Sequence, residues 1–333
     1  MTEVPPPADR EGRQTGALED FAVRARDVAR ISRLDAALVE ALDGCAAVGV
    51  DPILLKGPAL ARTLYRSDES RGYFDLDLLV AEEDLSAAGQ VLHELGYSNI
   101  SELQGVDDVA GILHAQMWSR LLPDFGNLSV DLHYRLDGCE APPGVVWQVV
   151  SSRHMLIEVA GRPARTLDQP GLALHLALHV AQHGPDDLKA VADLNRGLER
   201  WPPKVWDQAA ELARELGAVE SFAAGVRLVP EGELIIRRHN LPSADDVLWQ
   251  IAHRGERPRG TFHLEAFSQA RGIRERMNLL RRSLVPTREW IVWEHPEAET
   301  SRLRLFAAYC AHLARAPAWA ARAWRFRRRR LKT

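Results

Sequence analysis

Asp75 and Asp77 stand one residue apart in the otherwise apolar run "YFDLDLLV", residues 73–80. A strand alternates its side chains between two faces, so both carboxylates point the same way. Two like charges held together oppose each other's ionisation unless a cation neutralises them. Mg²⁺ suits such a pair, because it is hard, takes oxygen ligands, and is commonly held by one or two carboxylates plus substrate phosphates. A third acid, Asp131, lies in the alternating stretch "LSVDLHYRL", residues 128–136. On a neighbouring strand it completes a two-metal site, the kind that stabilises the attacking and leaving oxygens of a displacement at phosphorus. His133 follows Asp131 by two positions on the same face, where it can orient a metal-bound carboxylate or a substrate.

Ahead of the aspartates lies Lys56-Gly57, between the apolar residues 53–55 and Pro58. Gly57 ends a short strand, and Pro58 suits the first position of the helix "PALARTLY". Backbone N–H groups at such a turn cradle phosphate with help from the helix dipole. Lys56 adds a positive charge there.

Further along, "HLALHVAQH" sets His175, His179 and His183 four apart on one helix face. That spacing can bind zinc, but no glutamate follows His175 or His179 as the zinc-protease pattern requires, and no cysteine is near. The favoured reading is a helix packed on the catalytic half with its histidines hydrogen-bonded there. Substrate contact through His179 or His183 is the alternative.

These groups need elements to hold them. Residues 1–16 are Pro-rich and polar and read as a disordered lead. Residues 17–47 form a helix whose apolar stripe includes Ile31, Leu34, Leu38, Leu42 and Cys45. Strands are expected near 53–55, 73–80 and 128–136, with a hairpin over about 155–167. Helices are expected at 81–97, stopped by Gly96, and near 144–152. Residues 107–120 fit helix and strand equally. From Gly171 to about Glu199 the pattern is one helix, and Pro202 and Pro203 separate it from another over about 204–217. "HRGERPRG" (253–260) reads as a loop, and the remainder as helices broken near Pro286 and Pro317. The fold class is therefore α+β: a small mixed-sheet core over residues 48–167, then a helical domain over 168–333 with a basic end.

The order of these parts, a phosphate turn, an Asp-x-Asp strand and a third Asp strand, resembles the polymerase-β-like nucleotidyltransferase superfamily. "LLKGPALARTLY", an arginine (Arg71) four residues before "DLDLLV", "LGY", "VDLHYRL", "LALHLALHVAQH" with "ADL", and a late "LRRSLVP" together resemble a bacterial nucleotidyltransferase family within it. The likeness runs over roughly residues 35–310. It implies that Asp75, Asp77 and Asp131 hold Mg²⁺ or Mn²⁺ and are catalytic, with Asp131 positioning and deprotonating the acceptor hydroxyl. It also implies attack at the α-phosphorus of a nucleoside triphosphate with release of pyrophosphate. The superfamily's usual turn is Gly-Ser or Gly-Gly, whereas this chain has Lys56-Gly57. Lys56 or Arg71 would then replace the missing hydroxyl in binding the nucleotide; the other readings are a solvated turn lysine at Lys56 and a structural pair between Arg71 and a nearby acid.

Composition bounds the partners. With 333 residues, 46% hydrophobic and 26% charged, the chain is long enough for two domains and too apolar to be disordered. A net charge of -4 gives no bulk attraction to nucleic acid or anionic membrane. Three distant cysteines, Cys45, Cys139 and Cys310, suit a reducing compartment. The N-terminal stretch has no signal-peptide pattern, and no apolar run reaches the ~20 residues of a membrane span, so the expectation is a cytoplasmic protein. The terminal "RAWRFRRRRLKT" reads as a solvated basic helix end. The overall expectation is a nucleotidyltransferase whose partners are a nucleoside triphosphate and a small-molecule or peptide acceptor. The other readings are a degenerate nucleotide-binding scaffold, favoured by the altered turn, and a toxin-like modifier of RNA or protein, favoured by the basic end.

Overall fold

The computed structural model describes residues 8–66, 68–103, 114–122, 125–242 and 272–330. The loop expected at 253–260 lies outside the described residues. A long helix, α1 (Ala8–Ala47), opens the chain. It starts inside the stretch expected to be disordered, because after Pro7 the sequence has no further helix breaker of that strength and is rich in Ala and Arg. Its inner face, including Leu34, Leu38 and Leu42, is buried as the apolar stripe requires.

The sheet has seven strands in the order β3-β4-β5-β2-β1-β7-β6. They are β1 (Ile53–Leu54), β2 (Asp75–Leu79), β3 (Ser98–Asn99), β4 (Ala115–Leu122), β5 (Gly126–His133), β6 (His154–Val159) and β7 (Arg162–Leu167). β2 pairs with β5, and β1 with β7, in parallel; the other pairs are antiparallel. The ambiguous stretch resolves into β4 from Ala115 onward, since cross-strand pairing with β5 decides what local pattern left open. Between strands come α2 (Pro58–Thr63), α3 (Leu85–Glu94), the short α4 (Ile100–Leu103) and α5 (Pro143–Ser151).

Helices then follow one another: α6 (Gln169–His183), α7 (Leu188–Arg200), α8 (Pro203–Glu215), α9 (Val219–Val226) and α10 (Glu233–His239). The single helix expected over 171–199 is thus two. Gly184 takes φ 81°, a conformation that ends α6, and the Asp187 carboxylate accepts a hydrogen bond from Ala190 N to begin α7. The α6 helix is buried on almost every side; Asp168 caps its start through Gly171 N. The α9 helix crosses it so closely that a Cβ on Gly225 would lie 1.9 Å from the Ala177 carbonyl oxygen, so only glycine fits. One apolar cluster runs from Leu34 of α1 through the strands and α6–α10 to Leu241. Each fully buried Leu or Val in it contributes about 1.5–3 kcal/mol.

Residues 272–330 add helices Ile273–Leu284, Arg288–Glu294 and Arg302–Arg330, with a separate small cluster of Ile291, Ala298 and Ala308. The last helix continues through Pro317, where a break was expected. Proline removes one backbone hydrogen bond and favours a kink, but alanines and arginines on both sides carry the helix past it. Among the described residues, no helix is long and apolar enough to cross a membrane.

Candidate active site

The parallel register of β2 and β5 builds the site. Asp75 pairs with Ser129, Asp77 with Asp131, and Leu79 with His133. Residues in register on neighbouring strands share a face, so the three aspartates and His133 rise from the same side of the sheet. Asp77, Asp131 and His133 each offer a ligand atom, and those atoms all lie within 4.8 Å of one another. His133 Nε2 is 3.2 Å from Asp77 Oδ1. Asp75 stands outside that tight trio and lines the pocket above it.

β1 delivers the turn. Leu55 N donates to the Asp77 carbonyl, which fixes the end of β1 beside the middle of β2. Lys56, next along, places Nζ 3.0 Å from Asp77 Oδ1. Gly57 follows with φ 58° and ψ -110°, a region essentially closed to residues with a Cβ, and α2 begins directly after it. Arg71, at the start of the extended approach to β2, is buried. Its guanidinium donates to both carboxylate oxygens of Asp193 on α7, the shortest contact being 2.6 Å, and to the Gly57 carbonyl. The sequence left Arg71 between a nucleotide ligand and a partner for a nearby acid; in the structure it pairs with Asp193 and so ties the turn to α7, while also lining the pocket.

The electrostatics follow from burial. Burial alone would raise the Asp77 carboxyl, but the Lys56 charge and the His133 hydrogen bond outweigh it and hold Asp77 well below the usual range. Burial and then the Asp77 charge push Asp131 up to about 6. The same two causes raise Asp75. Burial would lower Lys56, but Asp77 and then Asp75 outweigh it and raise it. The site therefore holds crowded negative charge that one lysine only partly offsets. Asp77 Oδ2 is fully buried with no hydrogen-bond partner among the described residues. A buried, unmatched carboxylate oxygen in a site that holds further carboxylates is what a divalent cation satisfies. The donor set fits Mg²⁺ or Mn²⁺, with Asp77 and Asp131 as the nearer pair and Asp75 beside them.

Above this floor opens a cavity of about 310 Å³, at the small end of ligand pockets. Its walls bring together Lys56, Gly57, Arg71, Asp75, Asp131 and His133 with the histidine stripe of α6. The stripe runs outward: His175 is buried, His179 half-buried and His183 exposed, with ring centroids 6.3 Å and 4.3 Å apart. Among the described residues the stripe forms no metal-binding cluster. Two further groups were missed in the sequence. His114 lies 5.4 Å from the His133 ring, and Lys189 stands at the pocket wall near Asp75. The signal for His114 was register alone: Ala115 pairs with His133, so the preceding residue sits at the rim.

Among curated proteins none matches the chain. Several solved structures are similar to it, these three among them. The antibiotic-resistance factor ANT(2'')-Ia in solution is 16% identical, over 58% of this chain and 96% of that one, with a TM-score of 0.38. ANT(2'')-Ia in complex with adenylyl-2''-tobramycin is 16% identical, over 54% and 97%, with a TM-score of 0.36. The lincosamide antibiotic adenylyltransferase LnuA, lincomycin-bound, is 16% identical, over 48% and 93%, with a TM-score of 0.32. The family described as uncharacterised nucleotidyltransferase matches residues 15–231, more than half of the sequence, and the chain belongs to that family.

Proposed function

We propose that this nucleotidyltransferase moves a nucleoside monophosphate from a nucleoside triphosphate to a hydroxyl of a small molecule or peptide, using Mg²⁺ or Mn²⁺. The observation that carries the reading is the trio Asp77, Asp131 and His133 at the foot of a pocket whose rim is the Lys56-Gly57 turn. In the reaction the acceptor oxygen bonds to the α-phosphorus, the bond from that phosphorus to the bridging oxygen breaks, and pyrophosphate leaves. When bound, the divalent cation supplies charge stabilisation for the attacking and leaving oxygens. Asp75, Asp77 and Asp131 are the residues that would hold it. Asp131, half-buried in the pocket wall, would take the acceptor's proton on a carboxylate oxygen, whereas Asp77 is closed off beneath it. His133 keeps Asp77 oriented through its 3.2 Å contact. The Gly57 N–H and the Lys56 ammonium, both at the pocket rim, would receive the triphosphate. Arg71 keeps that turn in place through the Gly57 carbonyl.

The expected mixed-sheet core (48–167) and the helices after it would act together, since α6 supplies one wall of the pocket. A cytoplasmic location, where nucleoside triphosphates are made, is what this reading requires, and free Cys45, Cys139 and Cys310 agree with it.

One observation favours a second reading, a nucleotide-binding protein that no longer turns over. Lys56 already rests on the Asp77 carboxylate, through Oδ1, and so supplies there part of the positive charge that a cation would bring. Incubation with each α-labelled triphosphate, Mg²⁺ or Mn²⁺ and a cell extract separates the two. Label moving to a small molecule or peptide, and abolished by Asp77→Asn, is the expected result. Tight nucleotide binding with no transfer under any metal would decide for the second reading.

A further inference from the structure

The pocket is divided by chemistry. On the β1 side lie Gly57, Lys56 and Arg71, the cationic rim suited to a triphosphate. On the β4–β5 side lie His114 and His133, beside Asp131. The α6 helix crosses the pocket and adds His175 and His179. His175 is 8% exposed, and both of its ring nitrogens are buried with no hydrogen-bond partner among the described residues. Burial pushes its pKa down to about 3, with the Lys56 charge adding, so the His175 ring is neutral near pH 7.

A neutral imidazole presents one N–H donor and one bare nitrogen acceptor. Leaving both unmatched in a buried position is costly, so the ring calls for a partner that donates and accepts at once. A phosphate offers only acceptors and an ammonium only donors; a hydroxyl offers both. The stripe repeats this pair on successive helical turns, about 6 Å apart along the axis. We propose that His175, with His114 and His179, forms the acceptor subsite and takes a neutral, polyhydroxylated molecule, a sugar or sugar-like polyol. The proposal rests on the nucleotidyltransferase reading and names the acceptor class for that same site.

Saturation-transfer NMR would probe the purified full chain with methyl glucoside, methyl mannoside, methyl galactoside, myo-inositol, glucosamine and glucose 6-phosphate. Calorimetry with ATP and Mg²⁺ would run on the same samples. At least one neutral polyol should bind. His175→Phe, which keeps the ring and removes both nitrogens, should weaken it tenfold or more while leaving ATP affinity within twofold. The same variant should raise the Tm of the ligand-free protein by about 2–4 °C, because two orphaned polar atoms disappear. His175→Gln restores a donor and an acceptor and should recover most of the polyol binding. The proposal is overturned if no neutral polyol binds, if only the amine or the phosphate binds, or if His175→Phe leaves polyol binding unchanged. A loss of ATP affinity in His175→Phe that is absent with 2',3'-dideoxy-ATP would place the hydroxyls on the nucleotide's ribose and also overturn it. Failure of the wild-type protein to bind any triphosphate would instead strike the underlying reading, and the polyol results stand apart from it.

Discussion

Asp131 and Asp77 share one patch of buried charge, and their different partners split their behaviour. Asp77 has Lys56 and His133; Asp131 has the charge of Asp77 against it. A carboxyl raised to about 6 in the folded state and ordinary when unfolded costs nothing below pH 4, where both states are protonated. Between about pH 4 and pH 6 the folded state binds more protons than the unfolded state, so stability falls as pH rises. Urea unfolding of the protein in chelator should therefore show declining stability across that window, and Asp131→Asn should flatten the decline. Mg²⁺ should restore stability above pH 6, because the cation favours the ionised pair. A flat profile in chelator would show that Asp131 titrates normally and that the two carboxylates do not share the patch.

At the scale of elements, the phosphate turn is held by a contact that joins three parts of the chain. Arg71, in the approach to β2, bonds Asp193 of α7 and the Gly57 carbonyl, and the Tyr65 hydroxyl donates to the same Asp193 at 2.6 Å. Both ends of the ion pair are buried, with side-chain exposures of 6% and 3%. Removing one partner of such a pair strands the other charge and costs about 3–5 kcal/mol. Asp193→Ala should lower the unfolding free energy by that amount in chemical denaturation, and should weaken ATP binding because the turn loses its support. Asp193→Asn should do less, since it retains acceptor and donor atoms. If Asp193→Ala unfolds like the wild type, the clamp is not what fixes Gly57.

Across the whole molecule, the sheet and the helices α6–α10 are not separable by packing. The apolar cluster passes from Leu76, Leu78 and Val130 on the strands to Leu172, Leu176 and Leu212 on the helices without a gap. Groups that bury each other's surface open together. Native-state hydrogen exchange should give the amides of β2, β5 and α6 one common opening free energy. The helices of 272–330, whose own cluster is small, should open at lower free energy. Earlier opening of α6 than of β2 would mean that the pocket's histidine wall is a separate unit.

Much of this was legible in the chain. Asp75 and Asp77 share a face because alternation is local, and the histidine stripe of α6 shares one because a four-residue step is nearly a full helical turn. Gly57 marked its turn because only glycine accepts that backbone, and the order of motifs pointed to the family. The partner of Arg71 was not legible: Asp193 lies 122 residues away, and only packing α7 against the approach to β2 brings them together. The break at Gly184, by contrast, is written locally: Gly184-Pro185 stops one helix and Asp187 caps the next. Membership of His133 in the carboxylate trio depended on a parallel register that joins it to Asp77 across 56 positions, and His114 on the pairing of β4 with β5. Local periodicity fixes which face a residue takes along its own element. Which faces meet is decided by long-range pairing and burial, and those exist only once the chain has folded.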